Sequence, residues 1–224
     1  DDFDPDEMLG IAQAYAAQVM VLDECLGVFL QAIEQHPLLD KLLTMVTSPR
    51  GFPLGEHRIV GDSETALYNE LIHLPLFLWR GDGQGALLRH RALTQSPDVA
   101  ATLLNWFEES SRQRSGFASS LLPLTAAASD GDCHIANRDR IVSTAAGQTA
   151  IRTPAWFMTQ RSAESAAELY RKPDDRWEVN DVATRCPQIV EQLTEERQNY
   201  TAAVQGGTLD QLAPLPDELM EGIE

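Results

Sequence analysis

The order of apolar segments predicts an α/β layer followed by a smaller α+β cap. Three observations carry this. Two short runs, residues 42–47 and 73–79, are apolar on both faces and alternate with helical stretches; beyond residue 141 the hydrophobic period falls to two; and a final helical stretch closes the pattern. With 224 residues, 43% of them hydrophobic and 23% charged, the chain has the size of one ordinary domain or of a piece of a larger one, and the composition of a folded protein.

From about Leu9 to Gln35 the pattern is helical. Tyr15, Val19, Leu22, Leu26, Phe29 and Ile33 are spaced by fours and threes, which stacks them on one face and predicts that this face is buried, with Cys25 on the same stripe. Asp23 is expected to bond a neighbouring loop. His36-Pro37 ends the helix, because the residue before a proline is pushed out of the α region. Leu42–Thr47, stopped by Ser48-Pro49-Arg50-Gly51, is expected to be a central parallel strand. A Gly- and Pro-containing loop from Gly51 to about Ser63 leads to a short helical stretch around Thr65–Leu71. His73–Trp79 is then a second buried strand, with Pro75 at its start or on an edge, since proline cannot donate to the ladder.

Arg80–Gly85 is a turn. Ser96 is expected to cap the next helix with Pro97 at its first position, turning Val99, Leu103 and Trp106 inward and ending near Glu109. Residues 110–137 form a polar connection holding the apolar knot Leu121-Leu122-Pro123-Leu124. Ile141–Ala145, Thr149–Thr159 and Ala167–Arg171 then predict three antiparallel strands, and a helix runs from about Pro187 to Val204, stopped by Gly206-Gly207. The division that follows is 1–110 for the α/β layer, 111–140 for a connection, 141–205 for the small sheet with its helix, and 206–224 for an acidic tail.

Thirty-four acids against 17 bases give a net charge of −17, and the bases are 15 Arg with only Lys41 and Lys172. Ten acids sit in the two ends, which carry no base and are expected to be solvated tails. Such a surface repels phosphate backbones, so nucleic acid is excluded as a partner. No apolar run approaches the roughly 18 residues needed to cross a bilayer, so no membrane span is expected, and the opening Asp1-Asp2-Phe3-Asp4 is no basic-then-apolar leader, so a secretory signal is expected to be absent or already removed. The chain is read as soluble, with its compartment open. Cys25, Cys133 and Cys186 have neither zinc spacing nor a disulfide framework, and Cys25 and Cys186 are read as small buried hydrophobes. The five histidines are scattered.

Gly81–Gly85 lacks the Lys-Ser/Thr ending of a phosphate loop, and there is no Gly-x-Ser-x-Gly elbow. The most suggestive segment is Val46–His57, a glycine-punctuated loop beyond the carboxyl end of a strand, where α/β sheets bind ligands. Thr47–His57 resembles the sulfatase family of the alkaline-phosphatase-like fold, in which Thr-Ser-Asp-His-Gly and then Leu-Gly-Glu-His follow a core strand. Tyr15–Asp23 resembles the helix preceding that strand, and Leu71–Leu76 the (Thr/Ile)-His-Val-Pro-Leu strand. Asp98–Leu104 is similar to Asp-(Ile/Leu)-Ala-Pro-Thr-Leu-Leu, and Ser120–Leu124 to a Ser-Leu-Leu-Pro-Leu knot. Ala150–Trp156 and Glu168–Tyr170 resemble the C-terminal sheet. The blocks run in order over about residues 12–195.

The resemblance implies the C-terminal part of an alkaline-phosphatase-like sandwich with its small antiparallel-sheet subdomain, and a sulfuric-ester hydrolase by descent. It also implies losses. The Cys/Ser-x-Pro-x-Arg motif that becomes formylglycine is absent, as is the N-terminal pair of metal-binding Asp. The family's Asp and Asn/His that hold a divalent cation, usually calcium, correspond to Pro49 and Arg50 here, and no lysine lies between Lys41 and Lys172 to contact sulfate. No catalytic residue, metal ligand or cofactor is therefore expected in this chain. The candidate anion contacts are Arg50, His57 and His73. Arg50 either supplies the charge of the missing cation to a bound oxyanion or stands in solvent or against Glu56; His57 lies over the site, and His73 either contacts the anion or bonds backbone at a strand start. The expected partners are a sulfated or anionic small molecule or glycan and the N-terminal half of the same fold. The reading is a catalytically degenerate sulfatase-like module; the alternative is the C-terminal half of an active sulfatase whose nucleophile and remaining metal ligands lie upstream.

Overall fold

The computed structural model describes residues 4–61, 67–107, 118–126 and 138–221. The start of the helical stretch at Thr65, the helix end near Glu109, Cys133 and most of the 110–137 connection lie outside them. The chain divides into two compact units, residues 1–63 with 70–86, and residues 64–69 with 87–224.

The first unit opens with helix α1, Pro5–Glu34. Asp4 caps it, accepting the Asp6 amide at 3.0 Å, while Pro5 takes the first turn and Asp6 and Glu7 meet the positive end of the helix dipole. The expected buried stripe is not covered: no residue of α1 is buried, and Leu22 and Phe29 are 66% and 52% exposed. Cys25 and Asp23 are exposed as well, which corrects both expectations. The reason lies in the sequence around the stripe. Val19, Met20, Val21 and Leu22 are consecutive, so apolar residues run around the helix and one face cannot account for them. An 18-residue window of α1 reaches a mean hydropathy of 1.5, enough by length and composition to cross a membrane. This corrects the expectation that no stretch is long and apolar enough: Gln13, Gln18 and Asp23 interrupt the apolar pattern without lowering its mean below that level.

Strands β1 (Leu43–Thr47) and β2 (Leu76–Arg80) pair antiparallel, with Leu43 opposite Arg80, Met45 opposite Leu78 and Thr47 opposite Leu76. The expected parallel arrangement is thus corrected. Apolarity on both faces reports coverage of a strand and carries no information on its direction. Pro75 sits just before β2, as required of a residue that cannot donate to the ladder. Between the strands lies the short helix α2, Asn69–Ile72.

In the second unit α3, Pro97–Trp106, is not capped by Ser96, whose backbone is already helical and whose side chain makes no cap bond. Asp98 does the work from within. Its buried carboxylate accepts the Gln95 and Ser119 amides at 2.8 and 2.9 Å and the Arg138 guanidinium at 2.6 and 2.9 Å. This inverts the expected face: Asp98, Ala101 and Thr102 are buried, Val99 and Trp106 half-buried and Leu103 exposed. Thr102 accepts the amide of buried Leu121 at 2.9 Å, which seats helix α4, Leu122–Ala126.

The predicted three strands are four: β3 Ile141–Ala145, β4 Gln148–Arg152, β5 Trp156–Gln160 and β6 Glu168–Arg171, antiparallel and in that order. The single run expected over 149–159 is broken at Thr153, whose hydroxyl accepts the Trp156 amide at 3.0 Å and donates to Leu219 O at 2.7 Å. Trp156 and Met158 of β5 join Ile151, Leu169 and, from helix α5 (Pro187–Gly206), Ile189 and Leu193 in one core. Cys186 packs against that core, as expected of a small hydrophobe. Gly207 ends α5 at φ 68°, a left-handed conformation that suits glycine. The following segment is no solvated tail. Leu215 and Leu219, the latter in helix α6 (Asp217–Met220), are buried in the core, and Trp156 Nε1 donates to Glu218 O at 2.8 Å.

Candidate functional site

The loop after β1 turns at once. Ser48 donates to Arg50 O at 2.6 Å, and Gly51 N donates to Leu71 O at 2.9 Å, fastening the turn to the end of α2. A side chain at Gly51 would place its Cβ 1.7 Å from Glu70 O, so the close approach of the two backbones requires glycine. Pro49 and Arg50 are exposed at the tip. Arg50 Nε lies 3.5 Å from Gly51 O, at the outer limit of a hydrogen bond.

Beyond the tip the chain folds back as a miniature hairpin. Leu54 bridges Val60, Gly55 N donates to Ile59 O at 2.9 Å, and Glu56 accepts the Leu54 amide at 2.6 Å. Glu56, offered by the sequence as a partner of Arg50, is thus engaged by its own turn. His57 and Arg58 both take left-handed backbone, at φ 50° and 59°. For non-glycine residues this costs on the order of 1 kcal/mol each and persists only where neighbours hold it.

What holds His57 is Glu70. His57 Nδ1 and Glu70 Oε1 are 2.8 Å apart, and both side chains are mostly buried, 15% and 12% exposed. Sequence reading missed Glu70, because thirteen residues and a loop separate it from His57 and no spacing rule joins them. The contact fixes one ring nitrogen and so orients the other edge of the imidazole. His73 stands exposed just before β2.

Chemically this is a basic turn with an oriented imidazole beside it. At positions 49 and 50 it offers no anionic oxygen, because proline has no side-chain donor atom and a guanidinium repels a cation; these residues do not suit a calcium site. Among the described residues no three His, Cys, Asp or Glu side chains cluster as metal ligands.

The second unit carries a separate polar cluster. Tyr68 and Tyr170 hydroxyls both donate to Glu168 Oε2, at 2.6 and 2.7 Å, and Arg161 donates to the Tyr68 oxygen at 2.9 Å. Burial first, then the bond to Glu168, push both phenols above their ordinary value, Tyr170 the further. Lys172 and Glu178 form a buried pair at 2.7 Å, and Glu178 also accepts the Asn69 amide at 2.9 Å. These groups satisfy one another and brace the sheet.

Residues 1–109 match the family model described as Sulfatase. No curated protein matches the chain in sequence. Among solved structures the chain is similar to BT4656, determined in complex with its substrate D-glucosamine-2-N,6-O-disulfate. The two are 20% identical with a TM-score of 0.69, over 89% of this chain and 42% of that one. It is similar to BT1596, a 2-O GAG sulfatase, at 18% identity and TM-score 0.55, over 84% and 42%. It also resembles the phosphonate monoester hydrolase SpPMH from Silicibacter pomeroyi, at 17% identity and TM-score 0.63, over 82% and 38%. The chain therefore shares the alkaline-phosphatase-like fold of these proteins, and it spans about two fifths of their length.

Proposed function

We propose that this sulfatase-like chain is the C-terminal half of a sulfatase-type protein that binds a sulfated or anionic glycan without hydrolysing it. The observation that carries the reading is the pair Pro49-Arg50 at the exposed tip of the β1 loop, where the family resemblance expects cation-holding side chains. A divalent ion needs several oxygen ligands, and replacing an anionic ligand with a fixed positive charge removes both a donor and the attraction. Arg50 can itself meet a sulfate or carboxylate through paired N–H bonds. His57, held by Glu70, presents an oriented ring nearby in the same loop, and His73 is the third candidate contact. The glycan class is supported by the sulfated sugar that BT4656 takes as substrate and by the description of BT1596 as a 2-O GAG sulfatase. An N-terminal half of the same fold would pack against this one, which suits the uncovered apolar helix α1.

The test uses the intact protein with an aryl sulfate, with and without chelator, and calorimetric titration of calcium. No turnover, no stoichiometric calcium binding, and weaker binding of a sulfated monosaccharide by Arg50→Ala, by roughly tenfold or more, are the expected results. Chelator-sensitive turnover would overturn the degenerate reading in favour of an active sulfatase with its nucleophile and remaining ligands upstream.

A further inference from the structure

Several arginines of the second unit meet acids: Arg138 meets Asp98, Arg140 meets Asp139 and Glu196, and Arg161 lies 3.8 Å from Glu168. Others donate to neutral oxygens, Arg152 to the Thr153, Pro154 and Trp156 carbonyls and Arg185 to Asn180 Oδ1, and Arg197, on α5, is of this second kind. Its Nη1 donates to two neutral oxygens, Thr149 Oγ1 and Gln160 Oε1, the latter at 2.7 Å. Nε and Nη2 have no acceptor among the described residues, and no carboxylate approaches. The guanidinium is half-buried, and burial alone holds its pKa below the ordinary arginine value. Removing a charge from water without a counter-charge is costly, and the cost is recovered when a ligand brings one.

Arg197 also lines a groove of about 350 Å³ between the central β4–β5 pair and α5. The groove is bordered by Thr149, Gln160, Gln198, Thr201 and Gln205; Thr149 and Gln160 are engaged with Arg197, and Thr201 donates to Arg197 O, which leaves the Gln198 and Gln205 amides to bond a polyhydroxylated molecule in either sense. Gln198 and Gln205 make no side-chain hydrogen bond among the described residues. All of these groups belong to the second unit, so the site does not depend on the β1 loop.

We propose that this groove is a saccharide-binding site that takes an oxyanion substituent, sulfate or carboxylate, on the Nε–Nη2 edge of Arg197 and sugar hydroxyls on Gln198 and Gln205. The paired donors of that edge match two oxygens of either anion, and the volume suits about one sugar unit. The site can hold a glycan whether or not the protein hydrolyses one.

The intact protein is titrated with a monosulfated hexosamine, a hexuronic acid and the uncharged parent hexose, with hydrogen exchange locating the protected amides. The expected result is protection at residues 196–206 and 147–149 by both charged sugars, weakened at high salt, with the neutral hexose weaker by about tenfold or more. Arg197→Gln abolishes that protection and Arg50→Ala leaves it intact, which separates this site from the β1 loop. Because Arg197 also braces Thr149 and Gln160, Gln205→Ala on the exposed side of the groove is a second variant, expected to weaken binding without changing the melting temperature. Protection confined to the β1 loop, or equal binding by wild type and both groove variants, overturns the proposal.

Discussion

His57 shows what a side-chain contact and a small hairpin can enforce together. Its left-handed backbone, followed by that of Arg58, is held by a 2.8 Å contact to Glu70 and by the Gly55–Ile59 bonds of the small hairpin. Replacing Glu70 with alanine removes the acceptor and should cost ~1–3 kcal/mol locally, seen as faster hydrogen exchange at Gly55 and Ile59 with α5 unchanged. Arg58→Gly should do the opposite and raise the melting temperature, since glycine adopts φ 59° without strain. At the same scale, Tyr68, Tyr170 and Tyr200 all have phenols raised above 10.0, chiefly by burial. A pKa higher in the folded state means the folded chain keeps protons that the unfolded chain loses. The contribution to stability is therefore complete below pH 10 and declines above it. A near-ultraviolet titration should show these three phenols ionising only as the protein unfolds; normal titration of the folded protein would refute the buried cluster. Of the candidate contacts, Arg50, His57 and His73 could be picked out because the loop and strand that carry them resemble the sulfatase motifs. Glu70 could not, since only the folded chain brings it to His57.

The elements most clearly legible in the sequence were those whose signals are local. Pro187 and Gly207 bracket α5, and Pro75 marks the start of β2, because proline and glycine act through their own backbones. Elements defined by partners were harder to read. Ser96 has the chemistry of a cap, but Asp98, buried and bound to Arg138, already satisfies the Gln95 and Ser119 amides. The acidic run after Gly207 reads as a tail because its charges dominate its composition, yet Leu215 and Leu219 carry it into the core and Thr153 and Trp156 bond its carbonyls. Leu219→Ala should therefore destabilise the second unit by ~2–5 kcal/mol, measured by denaturant unfolding followed at Trp156. A change within experimental error would mean that the segment is a tail after all.

Over the whole chain, charge and apolar exposure oppose each other, and α1 decides between them. A helix of 30 residues with none buried, carrying Leu22, Val28 and Phe29 into solvent, cannot be an end state for an aqueous protein. Its sequence shows apolar residues on all sides, which reads equally as a helix enclosed in a larger core or as one in a membrane. A chain read alone could not reveal which cover is used, nor the antiparallel pairing of β1 and β2, since both depend on neighbours. The proposed N-terminal half favours enclosure. Residues 1–224 produced alone should then associate through α1, while the net charge of −17 delays that association by mutual repulsion. Salt removes the delay, because at 0.1 M the screening length is about 10 Å. Light scattering should thus rise with ionic strength, together with binding of an apolar dye, and Val21→Glu with Phe29→Glu should suppress both. In the intact protein the same helix should be protected from hydrogen exchange without lipid. If protection instead requires detergent or vesicles, α1 is a membrane segment and the enclosing half is the wrong cover.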